Sequence, residues 1–476
     1  MLHWLVTRYH VESFGCRTSQ ADGDAIAVAL GASGAEPSED LSQADVVVVN
    51  TCSVTAEADR DARAYIRRAQ RANPHSRIVV TGCYAQRAPE EIAALPGVYA
   101  VVGNSHKNQV ASIALGSPAA TAGWIPLSAV EPASQPSAAP PFLLAGDIFA
   151  HSHFQLPSIP AAMVGPLSHR TRPSLKIQDG CGNRCTFCII PSIRGNSRSL
   201  ARRSVLEAVK AFTQSGGTEL VISGINLGRW GRDLTPQNRF EDLLTEIFET
   251  TEIRRLRISS VEPMDWSDGL IHLLSAWGTG DHPRLARHVH MPLQSGADSV
   301  LRRMHRRYRP WHYADRAAKV RAASPDAAIG ADVMVGFPGE TDAEFQQSYD
   351  FIAAQPLTYL HLFPFSARPG TTAWQQHQDH GVSGVAVRER MAALRRLIDQ
   401  KNLAFRSRFI GRRISAVTLI PDKSGGSSAL TDNFLPVKLE GGRSANTLVS
   451  VEIVQLAGQG VIGRGVSGLG LSDRAG

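Results

Sequence analysis

The stretch that decides the fold is "SLKIQDGCGNRCTFCIIP", residues 174–191. It opens as an apolar strand candidate and runs at once into Cys181, Cys185 and Cys188, half of the six cysteines in a 476-residue chain. Neither a buried apolar role nor disulfide pairing requires that spacing. CxxxCxxC also lacks the paired CxxC or histidine pattern of a structural zinc site, and no fourth cysteine lies nearby. Three thiolates on a 4Fe–4S cluster would leave one iron without a protein ligand, open to a small molecule. A loop directly after a parallel strand is where a (β/α) barrel carries its chemistry. The plain alternative is one buried structural cysteine with two incidental neighbours.

Working outward, strand candidates recur at 174–178, 219–224, 255–260, 288–293, 329–339 and 359–366, with helical patterns such as 203–216 and 313–325 between them. This repetition predicts a full or partial (β/α) barrel. Beyond about residue 401, "GRRISAVTLI", "LPVKLEG" and "NTLVSVEIVQLAGQGVIGRG" alternate and are broken by glycines, which predicts a small all-β barrel. Towards the N-terminus, "ADVVVVN" (44–50) and "SRIVVTG" (76–82) read as strands buried on both faces, with the helical "TAEADRDARAYIRRAQRANP" between them. "VYAVVGN" is a third short strand, so a small parallel α/β domain is expected. The fold class is therefore α/β, in the order 1–111 parallel α/β domain, 112–168 linker, 169–400 barrel and 401–470 β-barrel. The linker is rich in Pro, Ala, Ser and Gly, with one ordered patch expected at "FLLAGDIF".

The other three cysteines are Cys16 in "SFGCRTSQ", Cys52 in "NTCSVT" and Cys83 in "VTGCYAQ". Each follows an apolar strand candidate, and open parallel sheets gather their sites at that edge. Three scattered cysteines can thus converge on one site.

Composition bounds the function classes. At 43% hydrophobic and 20% charged, the chain belongs with soluble globular proteins, and it is too long for one core. No stretch reads as a signal peptide or reaches the length of a membrane span, so the expected compartment is the cytosol and no membrane partner is expected. Cysteine clusters there are more often metal ligands than disulfides. The net charge of +7 is concentrated in "RRMHRRYRP" (302–310), "IRRLR" (253–257) and "RRAQR" (67–71). Each run is either a solvated face or part of a surface for a polyanion.

The segment "LKIQDGCGNRCTFCIIPSIRG" resembles the radical S-adenosylmethionine signature CxxxCxφC, with Phe187 as the φ residue, as it occurs in tRNA and ribosomal methylthiotransferases. The resemblance implies that the open iron is chelated by S-adenosylmethionine and that one electron cleaves it to a 5′-deoxyadenosyl radical. Further matching segments imply cofactor contacts from Gly216 and Gly217 in "SGGTELVISGINLG", from Ser259, Ser260 and Glu262 in "RISSVEP", and from Gln294 in "MPLQSG". The two glycines also suit a helix stop and turn, and the serines an ST-turn. Arg306 and Arg309 suit either substrate phosphates or a solvated helix.

Cys16, Cys52 and Cys83 match the family cysteines that hold a second 4Fe–4S cluster, which implies a division of labour between radical generation and sulfur delivery. The motif "FGCRTSQAD" departs from the usual residues around the first of these cysteines. The C-terminal module is similar to the family's RNA-binding TRAM barrel. "NTCSVTAEADRDARAYIRRAQ" and "TGCYAQ" are most similar to the branch that methylthiolates C2 of N6-threonylcarbamoyladenosine-37 in tRNA. The implied partners are a tRNA anticodon stem-loop, an electron donor such as flavodoxin or ferredoxin, and a sulfur source. Isopentenyladenosine-37, an aspartate of ribosomal protein S12 and a non-catalytic iron–sulfur RNA-binding sensor remain as alternatives.

Overall fold

The computed structural model of the chain describes residues 6–116, 141–150, 171–421 and 426–466. The expected linker 112–168 lies largely outside these residues. The chain forms two compact units. The first takes Met1–Ser158 together with Asp179–Asn183 and Cys188–Arg198; the second takes Ile159–Gln178, Arg184–Phe187 and Ser199–Gly476.

In the first unit, six strands form one parallel sheet in the order Glu36–Pro37, Arg8–Ser13, Val46–Thr51, Arg77–Gly82, Val98–Gly103 and Phe142–Leu144. Val47, Val49, Ile78 and Val80 face one apolar cluster, while Val46, Val48 and Val79 face another. Alternate residues of a strand point to opposite faces, so a sheet covered on both sides needs an unbroken apolar run. Each fully buried valine contributes about 1.5–3 kcal/mol. Helix Ala56–Ala72 covers one face through Ala62, Ile66 and Ala69, and the Thr55 side chain caps its first turn. The strand at Phe142–Leu144, within "FLLAGDIF", pairs beside Val98–Gly103.

The second unit carries a four-strand and a three-strand sheet. The first runs Arg255–Ile258, Glu219–Gly224, Ser174–Asp179, Arg198–Ser199, its first three strands parallel; the other, parallel throughout, runs His288–His290, Ala328–Val335, Tyr359–Pro364. Bridges from Leu256 to Leu285 and from Ser260 to His290 join them into a partial barrel. Helices including Arg202–Gln214, Phe240–Thr250 and Pro310–Ala323 cover its outside around one large apolar core. The expected strands are all present; His288–His290 is shorter than its candidate, although Met291 and Leu293 still donate to Gly330 and Asp332 of the next strand. Helix Gly384–Ser407 leads to a closed five-strand barrel ordered Arg413–Thr418, Ser428–Thr431, Pro436–Glu440, Gly460–Val466, Leu448–Ala457. This is the expected TRAM-like fold. Among the described residues no helix is long and apolar enough to cross a membrane.

Candidate active site

In the first unit, Cys16, Cys52 and Cys83 each stand at the C-terminal end of one of three neighbouring strands, Arg8–Ser13, Val46–Thr51 and Arg77–Gly82. Parallel strands lie about 4.8 Å apart, so the sheet brings residues widely separated in sequence to one edge. Gly15 has φ +100°, and a Cβ there would sit 2.7 Å from Cys52 Sγ. Gly82, with φ +99°, makes the corresponding turn before Cys83. Cys52 and Cys83 are buried and Cys16 is exposed. Burial, together with the neighbouring Cys83 and Cys16, pushes the Cys52 thiol up to about 12. Three cysteines at the ends of adjacent strands make a soft donor set, which a metal cluster of the kind held by three thiolates fits.

Arg194 also belongs to this edge. Its side chain is 1% exposed and donates from Nε to Cys83 Sγ at 3.3 Å, from Nη2 to Asp22 at 3.1 Å and from Nη1 to Asp179 at 2.9 Å. Lys107 closes the network on Asp22 at 2.6 Å. Burial disfavours the guanidinium, but Cys83, Asp179 and Asp22 outweigh it and hold Arg194 charged. The only sequence hint is one arginine in the apolar "CIIPSIRG".

In the second unit, Cys185 Sγ accepts from Arg306 Nη1 at 3.3 Å, and Arg306 Nη2 grips both Glu262 oxygens at 2.8 and 2.9 Å. Arg306 is therefore an internal anchor, not a phosphate contact. Arg309 likewise pairs with Asp298 and stands at the N-cap of helix Pro310–Ala323, where its backbone N–H donates to His312 Nδ1 at 3.2 Å. Burial pushes the Glu262 carboxyl above its ordinary range, against the pull of Arg306. Ser259, Ser260 and Glu262 follow the end of strand Arg255–Ile258. Phe187 packs against the apolar cluster that includes Met304, Met334 and Phe337. Gln294 takes φ 63°, a conformation rare outside glycine, and its Oε1 is buried without a hydrogen-bond partner. A strained residue presenting an orphan acceptor fits a bound polar group. Cys181 and Cys188 sit on segments of the first unit, where Cys181 Sγ accepts from the Asn183 amide at 3.4 Å.

Two sequence expectations are corrected. Gly216 and Gly217 lie before strand Glu219–Gly224, at the barrel end opposite its C-terminal edge. Gly216 ends helix Arg202–Gln214 with φ +83°, its carbonyl accepts from Asn446 of the C-terminal barrel at 3.0 Å, and Gly217 packs on the Phe212 ring. Helix termination, not cofactor approach, explains both. The run 253–257 is also not a cationic face, because Arg255 and Arg257 are buried on Glu219.

Residues 175–352 match the family described as Radical SAM superfamily, and residues 8–103 match Uncharacterized protein family UPF0004. The chain is 35% identical over 439 residues to the threonylcarbamoyladenosine tRNA methylthiotransferase MtaB of Bacillus subtilis, covering 90% of this chain and 89% of that one. It is 33% identical to a tRNA-2-methylthio-N(6)-dimethylallyladenosine synthase of Parafrankia sp., covering 93% and 83%. Among solved structures it resembles the radical S-adenosylmethionine methyltransferase TsrM of Kitasatospora setae at TM-score 0.55 and 16% identity, over 77% of this chain and 74% of that one, a likeness of fold. With a barrel of this type, a cysteine loop at its strand ends and full-length relatives at this identity, the chain belongs to the radical SAM superfamily and, within it, to the tRNA methylthiotransferases related to MtaB.

Proposed function

We propose that the protein adds a methylthio group to C2 of N6-threonylcarbamoyladenosine at position 37 of tRNA. The observation that carries the reading is the pair of separate cysteine sets, one on a barrel strand-end loop and one at the edge of a parallel sheet. Relatives named for threonylcarbamoyladenosine, at up to 35% identity, support the choice of base over its dimethylallyl counterpart.

Cys181, Cys185 and Cys188 would hold one 4Fe–4S cluster and Cys16, Cys52 and Cys83 a second. When bound, the two would supply radical cleavage of S-adenosylmethionine and a site for the transferred sulfur. The chain's own residues then bind and orient. Arg306 fixes Glu262 and donates to the Cys185 sulfur. Gln294 Oε1 offers S-adenosylmethionine an acceptor, and Ser259 and Ser260, just after strand Arg255–Ile258, offer hydroxyls. Phe187 packs the loop against the barrel. Arg194 keeps a positive charge against Cys83. The anticodon stem-loop presents the base, which can leave its stack at modest cost. A flavodoxin or ferredoxin supplies the electron and a separate donor the sulfur.

Mass spectrometry of digested tRNA from cells with and without the gene tests the substrate. Loss of only the 2-methylthio form of threonylcarbamoyladenosine is expected. Loss of the isopentenyl counterpart, or of the ribosomal-protein modification with tRNA unchanged, overturns the assignment. Replacing Cys16, Cys52 and Cys83 with Ala should leave 5′-deoxyadenosine production intact while methylthio transfer stops; normal transfer by that variant would make this set structural.

A further inference from the structure

Three side chains on the second sheet of the partial barrel stand outside both cysteine sets. Asp332 lies directly opposite His361 in the parallel register, and His290 lies opposite Gly330, one row below. Val333 faces the helix-covered core, so Asp332 and Met334, which alternate with it along the strand, face the barrel's inner side. Asp332 Oδ1 is 3.1 Å from His290 Nε2 and 3.2 Å from His361 Nδ1. One ligand atom from each residue falls within 4.8 Å of the other two.

Why these rings converge is legible in the rows. Gly330 has no side chain, so the Tyr359 ring occupies its place, against which any Cβ would collide. Tyr359 Oη then sits 3.0 Å from His290 Nδ1 and 2.7 Å from His288 Nε2. If His290 Nδ1–H donates to Tyr359 Oη and the phenol donates to His288, the His290 Nε2 lone pair is left facing Asp332. A partner on the far nitrogen that sets tautomer and ring orientation is the usual outer support of a metal-ligating histidine.

We propose that His290, Asp332 and His361 form a binding site for a divalent transition-metal ion, separate from the six cysteines. Two imidazoles and one carboxylate suit zinc, iron or nickel and not calcium or magnesium. A tetrahedral ion with bonds of about 2.0–2.1 Å needs its donors about 3.4 Å apart. Two of the pairs already approach this, and the exposed His361 ring can turn to complete it. Three protein ligands leave one position open on the barrel's inner face, for water or an oxygen of a bound substrate. The site does not depend on the two-cluster reading.

Zinc is the probe. Iron-replete protein, prepared without oxygen so that its cysteines are occupied, is mixed with one equivalent of Zn2+ and desalted; zinc is then quantified and its X-ray absorption recorded. Retained zinc with a nitrogen and oxygen first shell and imidazole scattering is expected. His361→Ala, at an exposed position, should keep its melting temperature and iron content yet bind zinc at least about tenfold more weakly. Asp332→Asn should weaken it likewise. No retained zinc, equal retention by His361→Ala, or a sulfur first shell would overturn the site and leave a hydrogen-bonded His–Asp–His group.

Discussion

At the residue scale, chemistry depends on groups whose own burial has to be compensated. Arg194 and Asp22 are almost fully enclosed, and each is acceptable only because the other and Lys107, Asp179 and Cys83 are present. Removing one member of such a network leaves a charge buried without its partner, which costs about 3–5 kcal/mol. Arg194→Gln is accordingly expected to lower unfolding stability by that order in urea titration, with Arg194→Lys intermediate because it keeps the charge but not the fork. The cysteines could be read from residue type and spacing. Arg194 could not, since its partners lie 15 to 172 positions away and nothing local marks it as buried.

At the element scale, strands Glu219–Gly224 and Arg255–Ile258 show how a basic run can mislead. Arg255 pairs in register with Glu219, and Arg257, two residues on, points to the same side. Burial raises the Glu219 carboxyl, but Arg257, Arg255 and Arg172 outweigh it and hold it at about 2. A carboxylate depressed from about 4.3 contributes stability above its unfolded value and loses it as pH falls towards 2. The shift corresponds to on the order of 3 kcal/mol. Glu219→Gln should therefore be less stable at neutral pH, with a flatter stability profile between about pH 5 and 2. A parallel profile in the variant would mean that Glu219 carries no such linkage.

At the scale of the whole molecule, the C-terminal β-barrel shares its core with the elements before it. Ala328, Phe405 and Phe409 pack with Ile414, Leu435, Val437 and Val451, and Tyr359 and Phe434 join them. Arg257 donates to the Thr431 and Asp432 carbonyls at 3.0 and 3.2 Å, and Arg287 to the Asp432 carboxylate at 3.0 Å. Truncation before Arg413 would expose this surface and strand Arg257 and Arg287. The shortened chain should show a lower melting temperature and aggregate on mild heating; an unchanged transition would make the module an independent bead.

The sequence by itself determined which residue types carry the chemistry and which segments are strands. Spacing of cysteines and apolar periodicity are local properties, written within a few residues of chain. Strands at 46–51 and 77–82 follow from short continuous apolar runs, those at 219–224 and 328–335 from apolar-rich segments, and the small closed β-barrel follows from alternation broken by glycine. Only the tertiary structure decided which charges are internal. It turned Arg255, Arg257 and Arg306 from a candidate phosphate surface into buried anchors and moved Gly216 and Gly217 to the barrel end opposite its strand-end loops. It also set His290, Asp332 and His361 side by side. The physical reason is that burial and charge pairing depend on which strands become neighbours, and strand order is set by packing of the whole sheet, not by any short stretch within it.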